Sequence, residues 1–214
     1  MKVYVSFTEQ IQDIVDLLTK SAEKIKDVEI VPVIFSGTIP DDLHLGDTAK
    51  GAYQTLMVER WKALPPIIEE NMGCNIVWLD ADCVFNYKSS IFSETIDKIL
   101  EDHDFAFQYD ENSYMSSDIN TGIMGIKCSK KTLEVVNKWF DDISNTPEGG
   151  RRPGYPQLEW NEFFEKYPQY EATYQVLSRN FGYQTGSDCV IYHAINTSDK
   201  KGALNSALNS FSGF

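Results

Sequence analysis

The chain has 214 residues, 42% hydrophobic and 24% charged, which suits one globular domain with a buried core. Its net charge of −13 excludes the basic face expected of nonspecific nucleic-acid or anionic-membrane binders. A nucleotide ligand stays open, because a metal ion can supply local positive charge.

The first elements in chain order are a strand at residues 2–7, an amphipathic helix from Glu9 to Lys26, and a strand from Glu29 to Phe35. Pro32 marks that second strand as an edge or an irregularity. This β-α-β opening predicts a largely parallel sheet covered by helices. After a loop at Ser36–Gly46, residues 47–70 carry a helical pattern that breaks at Pro65-Pro66, where a second helix can begin. Further expected elements are a strand ending at Asp80, a helix over 91–102, a strand at Phe105–Tyr109 and a polar loop at 110–118. Ile119–Ile126 reads as a strand interrupted by Gly122 and Gly125. A Ser-capped helix over 129–144, a Gly-Arg-Arg-Pro-Gly loop, a helix over 157–166 and strands at 173–177 and 188–192 complete the pattern. One domain is expected over 1–201, with 202–214 a small, polar tail that is either docked or a linker.

The N-terminus starts directly as a strand, with no signal-peptide pattern, and no apolar run reaches the roughly 18 residues of a membrane span. Cys74, Cys83, Cys128 and Cys189 form no C-x-x-C pair and have apolar flanks. They read as buried free thiols of a reducing compartment, so a soluble, cytoplasmic protein is expected.

The segment with most chemical content is Ile76-Val77-Trp78-Leu79-Asp80-Ala81-Asp82-Cys83-Val84-Phe85. An apolar strand ends in two carboxylates one residue apart. In extended backbone, residues i and i+2 face the same side, so Asp80 and Asp82 can converge on one cation. Two like charges gathered at a strand end call for such an ion, and oxygen ligands select a hard one, Mn²⁺ or Mg²⁺. Ions of this kind keep positions open for phosphates, which points to a nucleoside diphosphate.

Trp78-Leu79-Asp80-Ala81-Asp82-Cys83-Val84-Phe85 resembles the D-x-D segment of GT-A fold glycosyltransferases. Asn120-Thr121-Gly122-Ile123-Met124-Gly125 resembles the segment that follows it in the branch of glycogenin-like and nucleotide-diphospho-sugar transferases. The resemblance covers about residues 2–201, and the small size is similar to compact domains encoded by chlorella viruses, which would put the protein in a host cytoplasm. It implies an α/β GT-A (Rossmann-like) fold with a mixed, mostly parallel central sheet flanked by helices. It also implies transfer of a hexosyl or pentosyl group from a nucleoside diphosphate sugar, UDP-sugar first, to a hydroxyl of a glycan or glycoprotein acceptor, with retention favoured.

By the same resemblance Asp80, Ala81 and Asp82 meet the sugar nucleotide, and Asp80, Asp82 and His193 hold the metal. Ser6, Phe7 and Thr8 receive the nucleoside, although Thr8 equally suits a helix N-cap. Lys50, Tyr53 and Arg60 share one helix face, and an Arg there can bond a carboxylate or a phosphate. Asn120, Thr121 and Gly122 meet the donor sugar, with glycine permitting close approach of a ligand. Gln157, Glu159 and Asp118 are candidate catalytic groups, Trp160 a candidate sugar platform, and Asp110 a further carboxylate. The chain departs from the family after His193: the usual glycine and lysine-proline-tryptophan give way to Asn196-Thr197-Ser198-Asp199-Lys200-Lys201-Gly202. Either Lys200 or Lys201 can approach the diphosphate. Two other readings use the same carboxylates, a nucleotidyl or phosphoryl transferase and an inactive sugar-nucleotide or glycan-binding module. The first lacks the glycine-rich basic loop expected after strand one.

Overall fold

The computed structural model describes residues 1–37, 51–87, 91–110, 119–147, 157–183, 188–195 and 197–212, without the side chains of 51–55 and 212. In chain order the elements are β1 (Lys2–Phe7), a 3-10 turn (Glu9–Ile11), α1 (Gln12–Ala22), β2 (Glu29–Ile34), α2 (Gly51–Trp61) and α3 (Leu64–Glu70). Then come β3 (Asn75–Asp80), β4 (Cys83–Phe85), α4 (Phe92–Asp102), β5 (Phe105–Tyr109), β6 (Ile119–Lys127) and α5 (Lys130–Asn145). The chain continues through α6 (Gln157–Lys166), β7 (Tyr174–Val176), β8 (Phe181–Gly182), β9 (Ile191–His193) and α7 (Lys200–Ser212).

Six strands form the main sheet in the order β2-β1-β3-β6-β5-β7. The pairs β1/β2, β1/β3 and β5/β7 are parallel, and β6 runs antiparallel to both neighbours. The fold is therefore mixed α/β with a mostly parallel sheet. β2 lies at its edge, where Pro32 leaves no ladder donor missing from a central position. β3 is central, and its side chains alternate between two cores. Val77 and Leu79 pack with Val3, Val5, Leu18 and Ile96 on the face covered by α1 and α4. Ile76 and Trp78 pack with Tyr4, Ile68, Trp139 and Trp160 on the face covered by α3, α5 and α6. Burial on both faces explains the unbroken apolar run before Asp80.

Three local features depart from the sequence pattern. β6 runs as one strand despite its two glycines: residues 123–127 pair with β3, and residues 124–126 and 119–120 pair with β5 on either side of a register break. Short β8 was not expected, and it joins β4 and β9 in a second sheet ordered β4-β9-β8. The polar tail carries α7, which begins at Lys200 and so spans the expected 201/202 boundary. Asp199 Oδ1 accepts from Gly202 N at 2.8 Å, and Leu204, Ala207 and Phe211 recur at helical spacing. Those three side chains are buried against Val84 and Cys189. Cys83, Cys128 and Cys189 are buried as expected, but Cys74 is exposed in the turn before β3.

Two carboxylates tie distant elements together. Asp104 accepts from Thr173 N at 2.9 Å and pairs with Lys131 at 2.8 Å. Asp142 on α5 accepts from Tyr167 Oη at 2.5 Å and Lys166 Nζ at 3.0 Å, and pairs with Lys138. Partial burial pushes both carboxyls up, but the hydrogen bonds and cations outweigh it and hold both below the ordinary carboxylate value. The unfolded chain therefore binds more protons in acid. The stabilisation is fully present above the unfolded value of about 3.9 and is lost as pH falls through the lower folded values. The melting temperature is expected to drop between about pH 5 and about pH 2, and Asp142→Asn should flatten that slope. A melting series over this range that shows the same slope in both proteins would contradict it.

Candidate metal centre and donor site

β3 leaves the main sheet at Asp80, the chain bends at Ala81-Asp82, and β4 starts at Cys83 in the second sheet. Asp82 thus lies in a bend outside both strands, and the simple i, i+2 argument, which assumes one extended strand, does not apply there. The bend and the β4/β9 pairing bring the carboxylates together instead. Cys83 is the register partner of His193, and Asp82 O accepts from Ala194 N at 2.9 Å. His193 Nε2 lies 3.1 Å from Asp82 Oδ1 and 3.5 Å from Asp80 Oδ2. One ligand atom from each of the three residues falls within 4.8 Å of the others.

His193 is buried, and its Nδ1 stands 2.9 Å from Gln108 Oε1. A Cβ on Gly122 would overlap Cε1 and Nδ1 of the ring. The glycine therefore makes room for the imidazole, in addition to any approach by a ligand. With its proton on Nδ1, the ring turns the Nε2 lone pair toward the two carboxylates. One imidazole nitrogen and two carboxylates facing a common point form a donor set that fits a divalent cation. Burial pushes the Asp82 carboxyl up, but His193, in the form whose Nε2 carries a proton, and Lys200 outweigh it and hold it well below the usual range. The neighbouring Cys83 thiol is pushed far up, by burial first and then by Asp82 and Asp80.

Arg60 is buried at the end of α2, rather than solvated on a helix face. Its Nε donates to Ser6 Oγ at 2.6 Å, and its Nη2 pairs with Asp80. The guanidinium also lies over Trp61, 4.8 Å from the ring centroid. Arg60 thus joins the end of β1 to the end of β3, which are register partners at Ser6 and Asp80. Thr8 precedes the 3-10 turn but makes no capping bond, and its buried Oγ1 has no partner. Phe7 points into the core. Of the two lysines, Lys200 pairs with Asp82, whereas Lys201 reaches Asp13 on α1 at 2.7 Å. Lys50 and Asp118 lie outside the described residues, as does the Arg151-Arg152 pair, and Tyr53 is described only as backbone.

A second polar group forms where α6 meets β6. Gln157 Oε1 accepts from Thr121 N at 3.3 Å, and Gln157 Nε2 donates to Asp110 Oδ2 at 3.0 Å. Tyr183 Oη donates to Asp110 Oδ1 at 3.1 Å. Asn120 Oδ1 accepts from Gly122 N at 2.8 Å and braces the same turn of backbone. Glu159 lies about 200° around α6 from Gln157, on a different face. Trp160 is no sugar platform. It is fully buried, stacked on Trp139 with ring centroids 4.6 Å apart and packed against Phe105 and Phe107.

A family profile described as nucleotide-diphospho-sugar transferase matches residues 26–200. The chain belongs to that family. Its fold is the GT-A fold shared with solved structures of low sequence identity. One is a glycosyltransferase involved in glycosylation of the major capsid of PBCV-1, 14% identical with a TM-score of 0.64, covering 96% of this chain and 98% of that one. The galactosyltransferase LgtC, solved with donor and acceptor sugar analogues, is 11% identical with a TM-score of 0.58, covering 100% of this chain and 97% of that one. GlyE of Streptococcus pneumoniae TIGR4 is 13% identical with a TM-score of 0.60, and the match covers 93% of this chain but 55% of the larger protein. No curated protein sequence matches the chain. No helix among the described residues is long and apolar enough to cross a membrane.

In this family member the candidate metal triad sits at the carboxyl end of β3, beside the end of β1. Ligands of open α/β sheets bind at such strand ends. Sequence reasoning missed Gln108 and Gly182. Gln108 shows in the sequence only as one polar residue inside Phe105-Ala106-Phe107-Gln108-Tyr109.

Proposed function

We propose that this protein is a metal-dependent glycosyltransferase that moves a sugar from a nucleoside diphosphate, UDP first, to a hydroxyl of a glycan or glycoprotein acceptor. The convergence of Asp80, Asp82 and His193 within 4.8 Å carries this reading. The bound cation, Mn²⁺ or Mg²⁺, would offset the negative charge that grows on the leaving diphosphate. The imidazole nitrogen favours Mn²⁺. Asp80, Asp82 and His193 hold it, with Arg60 fixing the Asp80 carboxylate. Lys200, now on Asp82, is the cation that can swing to the diphosphate. Thr8, with its unpartnered hydroxyl, and Ser6 receive the nucleoside at the end of β1.

The bond between the anomeric carbon and the diphosphate oxygen breaks, and its electron pair leaves with the diphosphate. The acceptor oxygen bonds to the anomeric carbon and gives up its proton. In a retaining reaction that proton goes to the departing phosphate oxygen. Gln157, held by Thr121 and Asp110, supports retention: it places a neutral amide beside the asparagine-glycine turn. Asn120 meets donor hydroxyls in this reading, and Glu159 and Asp118 stand as alternative acceptor-side carboxylates. The cytoplasm is the compartment assigned.

Calorimetry with UDP and GDP tests the reading. One nucleotide, UDP first, is expected to bind at least about tenfold more tightly with Mn²⁺ than without, a difference of about 1.4 kcal/mol. Slow release of sugar from the matching donor is expected in the same solution. Metal-dependent binding without turnover would favour the sugar-nucleotide binding module, and metal-independent binding would sink the triad's role.

A further inference from the structure

We propose that Gln108 is a positioning residue for the metal centre: its carbonyl oxygen holds the His193 proton on Nδ1 and so presents Nε2 to the cation. This deepens the preceding reading, since it rests on the triad being a cation site. The observation is the 2.9 Å contact between Gln108 Oε1 and His193 Nδ1, made by a side chain with no solvent exposure. A histidine ligand needs its second nitrogen fixed, because that hydrogen bond selects both tautomer and ring orientation.

The surrounding backbone is shaped for this one contact. In the β5/β6 ladder Phe107 faces Met124, but the next residue, Gln108, faces Asn120. Residues 121–123 of β6 are thus left over opposite a single step of β5. Such a register break re-aims side chains, and here it turns Gln108 toward β9. Gly122 lies in the surplus segment, where its missing Cβ leaves space for the imidazole. Gly182 of β8 has φ +119°, and a Cβ there would lie 2.6 Å from Gln108 Cδ. Two glycines from different sheets therefore border the histidine and its partner.

A general structural role explains these features less well. Gln108 Nε2 is buried and has no hydrogen-bond partner. A buried amide left half satisfied costs stability. An apolar side chain would fill the same strand position without that cost. What glutamine supplies and an apolar residue does not is the acceptor for Nδ1–H.

The test uses the whole chain with two substitutions, Gln108→Leu, which removes the acceptor, and Gln108→Glu, which keeps it. Mn²⁺ binding in the presence of UDP is measured by electron paramagnetic resonance. Nitrogen-15 NMR follows the His193 ring with diamagnetic Mg²⁺ and UDP, a manageable assignment in a chain with 3 histidines. The expected result is that Gln108→Leu weakens Mn²⁺ binding about 10- to 100-fold, while Gln108→Glu stays near wild type. The wild-type ring is expected to show an Nδ1-bound proton protected from exchange, and the leucine variant to lose that protection. Wild-type Mn²⁺ binding unchanged in Gln108→Leu would overturn the role of Gln108 alone. Failure of wild type to bind Mn²⁺ would overturn the cation site and this proposal together. If the leucine variant does not fold, an unprotected or absent Nδ1–H in wild type still refutes the proposal.

Discussion

Gly122→Ala is expected to weaken Mn²⁺-dependent nucleotide binding by about a hundredfold, roughly 2.7 kcal/mol, although alanine adds only one uncharged methyl group. The new Cβ would overlap Cε1 and Nδ1 of His193, the ring that faces the Asp82 carboxylate, and lie 2.9 Å from Asn120 Oδ1. The ring is buried and bonded to Gln108, so it cannot yield as a flexible side chain would. Moving it takes Nε2 away from Asp82, and a three-point site becomes a two-point one. Overpacking should also lower stability, by about 1–3 kcal/mol. Gly125→Ala separates the two effects. Its Cβ would lie 2.9 Å from Ile96 Cγ2 under α4, away from the triad. That variant should lose stability and keep its Mn²⁺ affinity. Equal affinities for wild type and Gly122→Ala, measured by the same titration, would show that His193 is not held by this packing.

Asp82→Asn is expected to lower kcat/KM by about a hundred- to a thousandfold, which corresponds to about 3–4 kcal/mol of transition-state stabilisation. Asparagine keeps the shape of the side chain and one acceptor oxygen, but not its charge. The charge matters because Asp82 faces His193 Nε2 at 3.1 Å and pairs with Lys200. Without it a cation loses a ligand, and Lys200 loses the partner that holds it over the site. The loss should fall on metal-dependent nucleotide binding and on turnover together. Steady-state kinetics at several Mn²⁺ concentrations provide the check. A variant restored to full rate by excess Mn²⁺ would limit Asp82 to metal affinity, and one with unchanged kinetics would remove it from the site.

The main elements and the two carboxylates were legible because they depend on short-range patterns. Trp78 to Asp80 reads as the end of a buried strand whatever the rest of the chain does. Arg60 was legible as a group able to reach a carboxylate, since helix periodicity places it on one face. The sheet edge at β2 was marked by Pro32. The family resemblance rested on these same local segments, and the family match over 26–200 agrees with it.

Other features carry no local signature. Trp160 stands beside acidic residues at the start of α6, and its sequence neighbours suggest a surface ring. Only the packing of α6 on β5 and α5 makes it core. α7 was hidden by its serines and asparagines, since burial of three side chains against β4 and Cys189 is a property of the folded chain.

By itself the sequence determined a mostly parallel α/β sheet, with Asp80 and Asp82 at the end of its central strand, because alternation and apolar runs fix which residues a strand can bury. Only the tertiary structure decided how those carboxylates meet His193. That meeting depends on the bend after β3, the pairing of β4 with β9, the register break in β6 and the space left by Gly122. Each is a contact between segments far apart in the chain, and no short window of sequence contains both partners.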